Sequence, residues 1–313
     1  MSERQDYRNL AWIAAIALFM QSLDATILNT ALPAISASLN ESPLEMQMTI
    51  ISYSLTVALF IPLTGWVADK YGTLNVFRVA VGIFVLGSVA CAMANSLNAL
   101  IWSRILQGLG GALMMPVARL VIIRHVPKTQ LVAAWNAMAM AGLIGPVMGP
   151  IVGGWLVTYV GWHWIFLINI PIGLLGIWFA GRYMPNSTGK INKLDWFGFV
   201  LFAGGLAGVT LGLDLLSEDR GSQWRTVLIL AIGVLCFLVY YFYAQRAQTP
   251  LLPLNLFTVR SFRIGVIANI FIRLTGSGIP FLMPLMLQLV FHYSAEITGW
   301  LLLAKFCRVS AIK

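Results

Sequence analysis

Several ionisable side chains in this sequence stand inside long apolar runs. Asp24 is the single charged residue of the first run and lies near its middle, Arg104 lies within the fourth run, and Arg273 interrupts a later one. A buried carboxylate can exchange a proton or pair with an arginine, and a buried arginine can bind an anionic group. These residue types predict proton exchange, or the handling of a charged solute, at a site removed from water.

Two further observations bear on these positions. Arg104 stands roughly one turn inside its run, so an alternative is that its long side chain extends to the nearer membrane surface. Asn29 follows Asp24 by five residues in the same run and adds a polar group there. A polar residue inside a spanning helix is a functional candidate by default.

A second pattern concerns the packing and bending of a helix. The segment GLIGPVMGPIVGG holds five glycines and two prolines in thirteen residues, and these are Gly142, Gly145, Pro146, Gly149, Pro150, Gly153 and Gly154. Three of the glycines are spaced by four, so they share one helix face and allow a second backbone to approach closely. The prolines each remove a backbone donor and bend the axis. The segment predicts a tightly packed, bent helix; ordinary small-residue packing is the plainer interpretation.

The elements that position these residues are membrane spans. The 313 residues are 59% hydrophobic and 10% charged, whereas a soluble domain carries roughly 25% charged residues. Apolar runs long enough to cross a bilayer recur along the chain. They predict spans near 10–33, 47–66, 77–95, 98–122, 130–157, 163–183, 196–214, 226–244 and 264–291, and a tenth that begins near 297. The fold class is therefore an all-α polytopic membrane protein.

The basic residues set the predicted orientation. With the N-terminus inside, the cytoplasmic loops carry thirteen Lys and Arg, whereas the opposite loops carry only Arg220 and Arg225. This bias places the N-terminus in the cytoplasm. It also explains the net charge of +9 without a nucleic-acid partner. The three cysteines and three histidines show no metal-ligand spacing, so neither a metal nor a cofactor is expected.

Loop lengths predict three parts. Residues 1–184 form a six-span bundle, residues 185–245 hold two additional linker spans, and residues 246–313 hold a connector and the start of a C-terminal bundle. This plan is typical of a transporter.

Four motifs resemble the major facilitator superfamily. The glycine and proline segment resembles its antiporter motif, WSRILQGLGGA (102–112) its proton-linked motif, and LDATILNTALP (23–33) the signature of the fourteen-span drug:proton antiporter branch. GWVADKYG (65–72) resembles the superfamily's signature loop, although Thr73 and Leu74 replace its usual basic pair. The resemblance covers nearly all of 10–303 and is closest to the multidrug-resistance-protein-D type of enterobacterial exporter.

The resemblance implies a major facilitator fold in the inner membrane and assigns roles to residues. It assigns proton coupling and the substrate cavity to Asp24, Asn29, Arg104, Gln107 and Arg273. It assigns a seal between the two access states to residues 142–154, where the bent helix is expected to pack against the opposite half. It assigns a cytoplasmic latch to Gly65, Asp69, Lys70, Gly72 and Arg78. The implied function is proton-coupled export of small molecules, with the substrate, protons and lipid as partners.

Alternatives remain at this point. Two arginines at membrane depth favour organic anions such as carboxylates over cationic drugs. An intramembrane hydrolase based on Ser277 is disfavoured, because no histidine is placed to serve it, so the protein is not expected to be an enzyme. Fourteen spans need on the order of 450–500 residues, which predicts that the chain is truncated. Truncation would leave two alternatives: the chain is a remnant that does not transport, or a second fragment supplies the missing bundle.

Overall fold

The structure is a computed structural model that describes residues 2–189, 193–218, 223–276 and 279–310. Within these ranges the chain forms helices and short connections, with no strand. The all-α prediction is confirmed.

Eight helices form the first six predicted spans. They are α1 (Ser2–Leu39), α2 (Gln47–Phe60), α3 (Thr64–Tyr71), α4 (Thr73–Ala92), α5 (Leu97–His125), α6 (Leu131–Tyr159), α7 (Trp164–Leu167) and α8 (Asn169–Tyr183). The second span is α2 and α3 together, joined by a 3-10 turn at Ile61–Leu63. Pro62 lies in that turn, where its missing amide hydrogen interrupts the α-helical hydrogen bonds.

Five further helices follow. They are α9 (Trp196–Glu218), α10 (Gln223–Arg246), α11 (Arg260–Gly276), α12 (Ile279–Leu285) and α13 (Ala295–Ser310). Eight helical stretches in the described residues are long and apolar enough to cross a membrane. They correspond to the first eight predicted spans. The predicted ninth span covers α11 and α12 and includes residues 277 and 278, which lie outside the described residues together with the candidate Ser277.

Local sequence accounts for several helix ends. α1 ends before Asn40, whose φ of 55° is a left-handed conformation that asparagine tolerates. The Ser96 side chain accepts a hydrogen bond from the Ala99 amide at 3.2 Å and caps the start of α5. Pro127 follows α5 and disfavours helical backbone in the residue before it.

The six-span bundle has an apolar core at each end and polar side chains between. α1 packs along α6, and α4 packs along α5. One cluster, around Phe77, Phe84 and Val121, lies towards the end where α1 begins, which is called the N-terminal face. The other, around Leu32 and Phe166, lies towards the opposite face. The two clusters hold the middle of α1, and with it Asp24, away from solvent and lipid.

The later helices are much less covered. α9 and α10 form a hairpin that reaches the bundle through α2, and most of their large apolar side chains are exposed. Along α11, residues 260–272 are exposed apart from half-buried Val266. In the described part of the chain, the bundle therefore has a packed interior, whereas α11 has none.

Candidate functional site

The centre of the six-span bundle holds an ion pair. Asp24 on α1 and Arg104 on α5 meet with 2.7 Å between Oδ2 and Nη1, and both side chains are 1% exposed. The arginine thus turns inward and does not extend to the membrane surface, which was the alternative interpretation of its position. Burial removes both charges from water, so each depends on the other and on nearby polar groups.

Arg104 has three further partners besides the carboxylate. Its Nη1 donates to Gln107 Oε1 at 2.6 Å, and its Nε donates to the Thr49 carbonyl at 3.3 Å. Its guanidinium lies over the Tyr53 ring at 4.3 Å from the centroid. These contacts hold the positive charge from α2 and α5 independently of Asp24.

The other carboxylate oxygen of Asp24 accepts two hydrogen bonds. Gln107 Nε2 donates to Oδ1 at 2.7 Å, and Asn169 Nδ2 on α8 donates at 3.2 Å. Both amides also donate to Ser88 Oγ on α4, at 2.8 and 3.2 Å. Gln107, Asn169 and Ser88 are fully buried. Helices α1, α2, α4, α5 and α8 therefore share one polar network around a single carboxylate.

The structure joins three of the five predicted coupling residues: Asp24, Arg104 and Gln107. Asn29 is half-buried, and no hydrogen bond among the described residues links it to them. Arg273 lies on α11, but its side chain is outside the described residues. Sequence reasoning missed Ser88 and Asn169. Asn169 is the one polar residue in the apolar run IFLINIPIG, which is the signal that could have found it.

The glycine face of α6 packs against α1 in the same bundle. A Cβ atom on Gly145 or Gly149 would collide with Ser22 Oγ or Thr26 Oγ1. Thr26 Oγ1 also reaches the Gly145 carbonyl at 3.4 Å. α6 runs unbroken through both prolines. The role of this segment as a seal against the opposite half stays a prediction, and among the described residues one part of the segment contacts a helix beyond the six-span bundle.

That part is the junction between α6 and α13. A Cβ atom on Gly154 would meet the Ala295 carbonyl, and one on Gly299 would meet the Pro150 carbonyl. Backbones therefore touch at this crossing. Beyond it, Tyr159 Oη donates to Glu296 Oε2 at 2.9 Å.

A second contact lies at the face opposite the N-terminal face, between α1 and the later helices. Gln288 Nε2 donates to the carbonyl of Thr30 on α1 at 3.0 Å. With the α6–α13 junction, it joins the later helices to the six-span bundle at the opposite face.

The N-terminal face carries the predicted latch. Asp69 pairs with Arg124 at the end of α5, with 2.6 Å between Oδ1 and Nη2, and both side chains are partly exposed. Lys70 lies over the Trp66 ring. Arg78 is exposed and lies beside Gly181 of α8. Asp69 of the predicted latch therefore pairs with an arginine outside the motif GWVADKYG (65–72).

Gly72 makes the turn between α3 and α4. Its φ of +86° belongs to the left-handed region that favours glycine. Gly65, by contrast, has open space where a side chain would stand. Of the two motif glycines, the structure gives only Gly72 a backbone requirement.

Residues 185–189 form a strap across the start of α4. The Thr73 amide donates to the Ser187 carbonyl at 3.1 Å, and the Leu74 amide donates to Asn186 Oδ1 at 3.1 Å. The Gly189 amide donates to the Asp69 carbonyl at 3.2 Å. The first amides of a helix lack internal acceptors, so a distant segment caps α4 where the usual basic pair is replaced.

We predict that Asn186→Ala lowers the free energy of unfolding by about 1 kcal/mol, the usual cost of losing a helix cap. The thermal midpoint of the purified protein in detergent measures the loss. Asn136→Ala is the matched control, because Asn136 is exposed on α6. Equal midpoints for the two variants would show that the strap does not cap α4.

Comparison with known proteins fits this arrangement. The family model described as Major Facilitator Superfamily matches residues 14–312. The chain belongs to the major facilitator superfamily. A Haemophilus influenzae relative named as a transport protein, HsrA, is 64% identical over 96% of this chain and 65% of its own length. A Salmonella typhi relative named for multidrug resistance, MdtD, is 44% identical over 93% of this chain and 62% of its own. This chain therefore spans a little under two thirds of these relatives' length.

Solved structures agree with the superfamily fold. A peptide transporter, POT, crystallised with sulfate has a TM-score of 0.56 at 17% identity, over 79% of this chain and 57% of its own. The POT family transporter PepTSo has a TM-score of 0.53 at 16% identity, over 75% and 52%. At these identities the likeness concerns the fold alone. The superfamily is one of transporters, and the chain is a multi-pass membrane protein.

Proposed function

We propose that this chain acts in a proton-coupled antiporter that exports small molecules, of the multidrug-efflux type, across the bacterial inner membrane. One observation carries the proposal. In a chain of a transporter superfamily, the buried carboxylate Asp24 is joined by hydrogen bonds to α5 and α8 at the centre of the bundle. A proton on that carboxylate changes the interactions among all three helices.

The geometry allows Asp24 to take up a proton without isolating the charge of Arg104. Protonation would weaken the ion pair, yet Arg104 would keep Gln107 Oε1, the Thr49 carbonyl and the Tyr53 ring as partners. An arginine left without partners would make protonation prohibitively costly. Because its charge is held elsewhere, proton binding shifts the packing of α1 without leaving an isolated charge. Such a shift biases a transporter between its two facing states.

The proposal assigns the N-terminal face and the opposite face of the bundle to the two sides of the membrane. We assign the N-terminal face to the cytoplasm, since it carries the excess of Lys and Arg. The α6–α13 junction then seals the periplasmic face, and the pair of Asp69 and Arg124 latches the cytoplasmic one. The contacts at Tyr159 and Gln288 favour a state closed towards the periplasm.

The exposed helix α11 bears on the partners of the chain. A spanning helix of a bundle buries one face, whereas residues 260–272 are exposed on nearly all sides. We propose that further membrane helices cover α11 in the working transporter, whichever polypeptide supplies them. We also propose that the chain is organised in three parts. These are the six-span bundle (1–184), the two linker spans (185–245), and the connector with the start of a C-terminal bundle (246–313).

The substrate class follows from the charges that remain. While Asp24 is ionised it neutralises Arg104, which is also fully enclosed, so in that state Arg104 gives no positive charge to a substrate cavity. The organic-anion alternative then depends on Arg273 alone. We therefore place drug-like small molecules first and carboxylates second.

Inside-out membrane vesicles containing the 313-residue chain test the function. The vesicles are energised so that their interior is acidic, and an acridine dye reports the pH difference. Adding ethidium should release protons in proportion to the chain present and should release none with Asp24→Asn. A response to citrate alone, lost in Arg273→Ala, would favour anion export. No proton release with either compound would contradict transport by this chain.

A further inference from the structure

Asn169 differs from the other members of the buried network. Its Nδ2 donates to Asp24 Oδ1 and to Ser88 Oγ, both at 3.2 Å, whereas its Oδ1 has no hydrogen-bond partner in the part of the chain that the structure describes. The side chain is fully buried. A buried amide oxygen without a donor has a free-energy cost, so this amide is held in an orientation that satisfies only its nitrogen.

We infer that the side-chain amide of Asn169 reverses its orientation when Asp24 is protonated. This role rests on the proposed proton coupling. With Asp24 ionised, the amide donates through Nδ2, as in the structure. With Asp24 protonated, the amide turns about its Cβ–Cγ bond and accepts through Oδ1. Asn169 is in this sense a positioning residue for the proton.

The need for a reversal follows from the donors around Asp24. A proton delivered by a hydronium ion breaks one O–H bond of that ion and forms one O–H bond at Asp24 Oδ1, leaving a water molecule. Among the described groups hydrogen-bonded to Oδ1, the new donor then faces two N–H groups, from Gln107 and Asn169, and no acceptor. One of these two amides must present its oxygen, or the acid stays without a partner.

The side-chain oxygen of Gln107 is engaged in its present orientation, whereas the side-chain oxygen of Asn169 is not. Gln107 Oε1 accepts from Arg104 Nη1 at 2.6 Å and from Cys91 Sγ at 3.7 Å. Reversing Gln107 would set an N–H group against the guanidinium. Reversing Asn169 gives up the two hydrogen bonds that Nδ2 donates but none to its oxygen. In exchange, Oδ1 accepts from the protonated carboxyl and comes within reach of the Ser88 hydroxyl as a second donor.

The charged and titratable neighbours agree with this assignment. From α5, Arg104 carries a positive charge, and from α2 and α4 the side chains of Tyr53 and Cys91 are neutral groups close to the ion pair. α6 contributes glycines to its face against α1. Among the described side chains around Asp24, the Asn169 amide is therefore the one whose oxygen can turn to the protonated carboxyl without losing a hydrogen bond of its own.

Difference infrared spectroscopy tests the inference on the full chain in lipid nanodiscs. A pH titration with asparagine labelled by carbon-13 at the side-chain carbonyl follows two bands, one from the protonated Asp24 carboxyl and one from the Asn169 amide. The Asp24 band is assigned by its loss in Asp24→Asn. The Asn169 band is assigned by its loss in Asn169→Leu, with Asn75→Leu on the exposed surface as control.

We expect the Asn169 carbonyl band to move to lower frequency with the same midpoint as Asp24 protonation, and to stay fixed in Asp24→Asn. An unchanged amide band during protonation of Asp24 would overturn the reversal. So would an Asp24 band that never forms across the pH range in which the protein stays folded. Neither readout needs transport, so coupled bands without proton release in vesicles would leave the inference standing and overturn the proposed function.

Discussion

Arg104→Gln should destabilise the protein far more than the double replacement of Arg104 and Asp24 by neutral amides. The single change leaves the Asp24 carboxylate fully buried without its cation, and breaking one partner of a buried pair costs about 3–5 kcal/mol. The double variant Asp24→Asn/Arg104→Gln leaves no buried charge, and its amides retain donors and acceptors for Gln107, Asn169 and Ser88. We expect it to recover most of the lost stability.

The thermal midpoints of the two single variants and the double variant, in one detergent, form the test. Arg119→Gln is the matched control, because Arg119 is an exposed arginine on the same helix. Additive losses in the double variant would contradict the pairing of Asp24 with Arg104. In the vesicle assay the double variant should fold and release no protons, which separates the structural role of the pair from its proposed coupling role.

The comparison of sequence with structure shows what spacing can reveal. The sequence identified Asp24 and Arg104 because each charge stands alone in an apolar run, and the cost of burial is independent of the fold. It located the spans for the same reason. Their contact across 80 residues depends on how α1 and α5 pack, and no periodicity within one helix encodes that.

The residues that were missed have neutral side chains or lie in loops. Ser88 and Asn169 belong to helices that approach Asp24 only after the bundle has assembled, and small polar residues in spans are common enough to pass unnoticed. The strap was not foreseen because a capping segment more than 100 residues away in the chain leaves no local signal. The glycine spacing correctly predicted a close helix contact, but it did not specify whether α1 or α13 would be the neighbour.

The α6–α13 junction is held by close backbone packing at Gly154 and Gly299. Thr298, next to Gly299, is fully buried in the closed arrangement. Opening of the opposite face would expose it to water.

Gly154→Ala and Gly299→Ala should therefore open the opposite face. The added methyl group would meet a backbone carbonyl in each case, and a backbone cannot move aside as a side chain can. Overpacking of this kind costs about 1–3 kcal/mol, which corresponds to an increase of about fivefold to 160-fold in the open population. Gly82→Ala is the control, since a Cβ atom there would have nothing within 4 Å.

The opening is measured at Thr298→Cys in a chain whose native cysteines have been replaced. A membrane-impermeant thiol reagent added outside intact cells should label this buried position slowly in the parent and in Gly82→Ala. Labelling should be about five times faster or more in the two junction variants. Equal rates in all four proteins would mean that the backbone contact does not hold this face closed. Faster labelling from the cytoplasmic side instead would reverse the proposed orientation, because the junction would then seal the other side of the membrane.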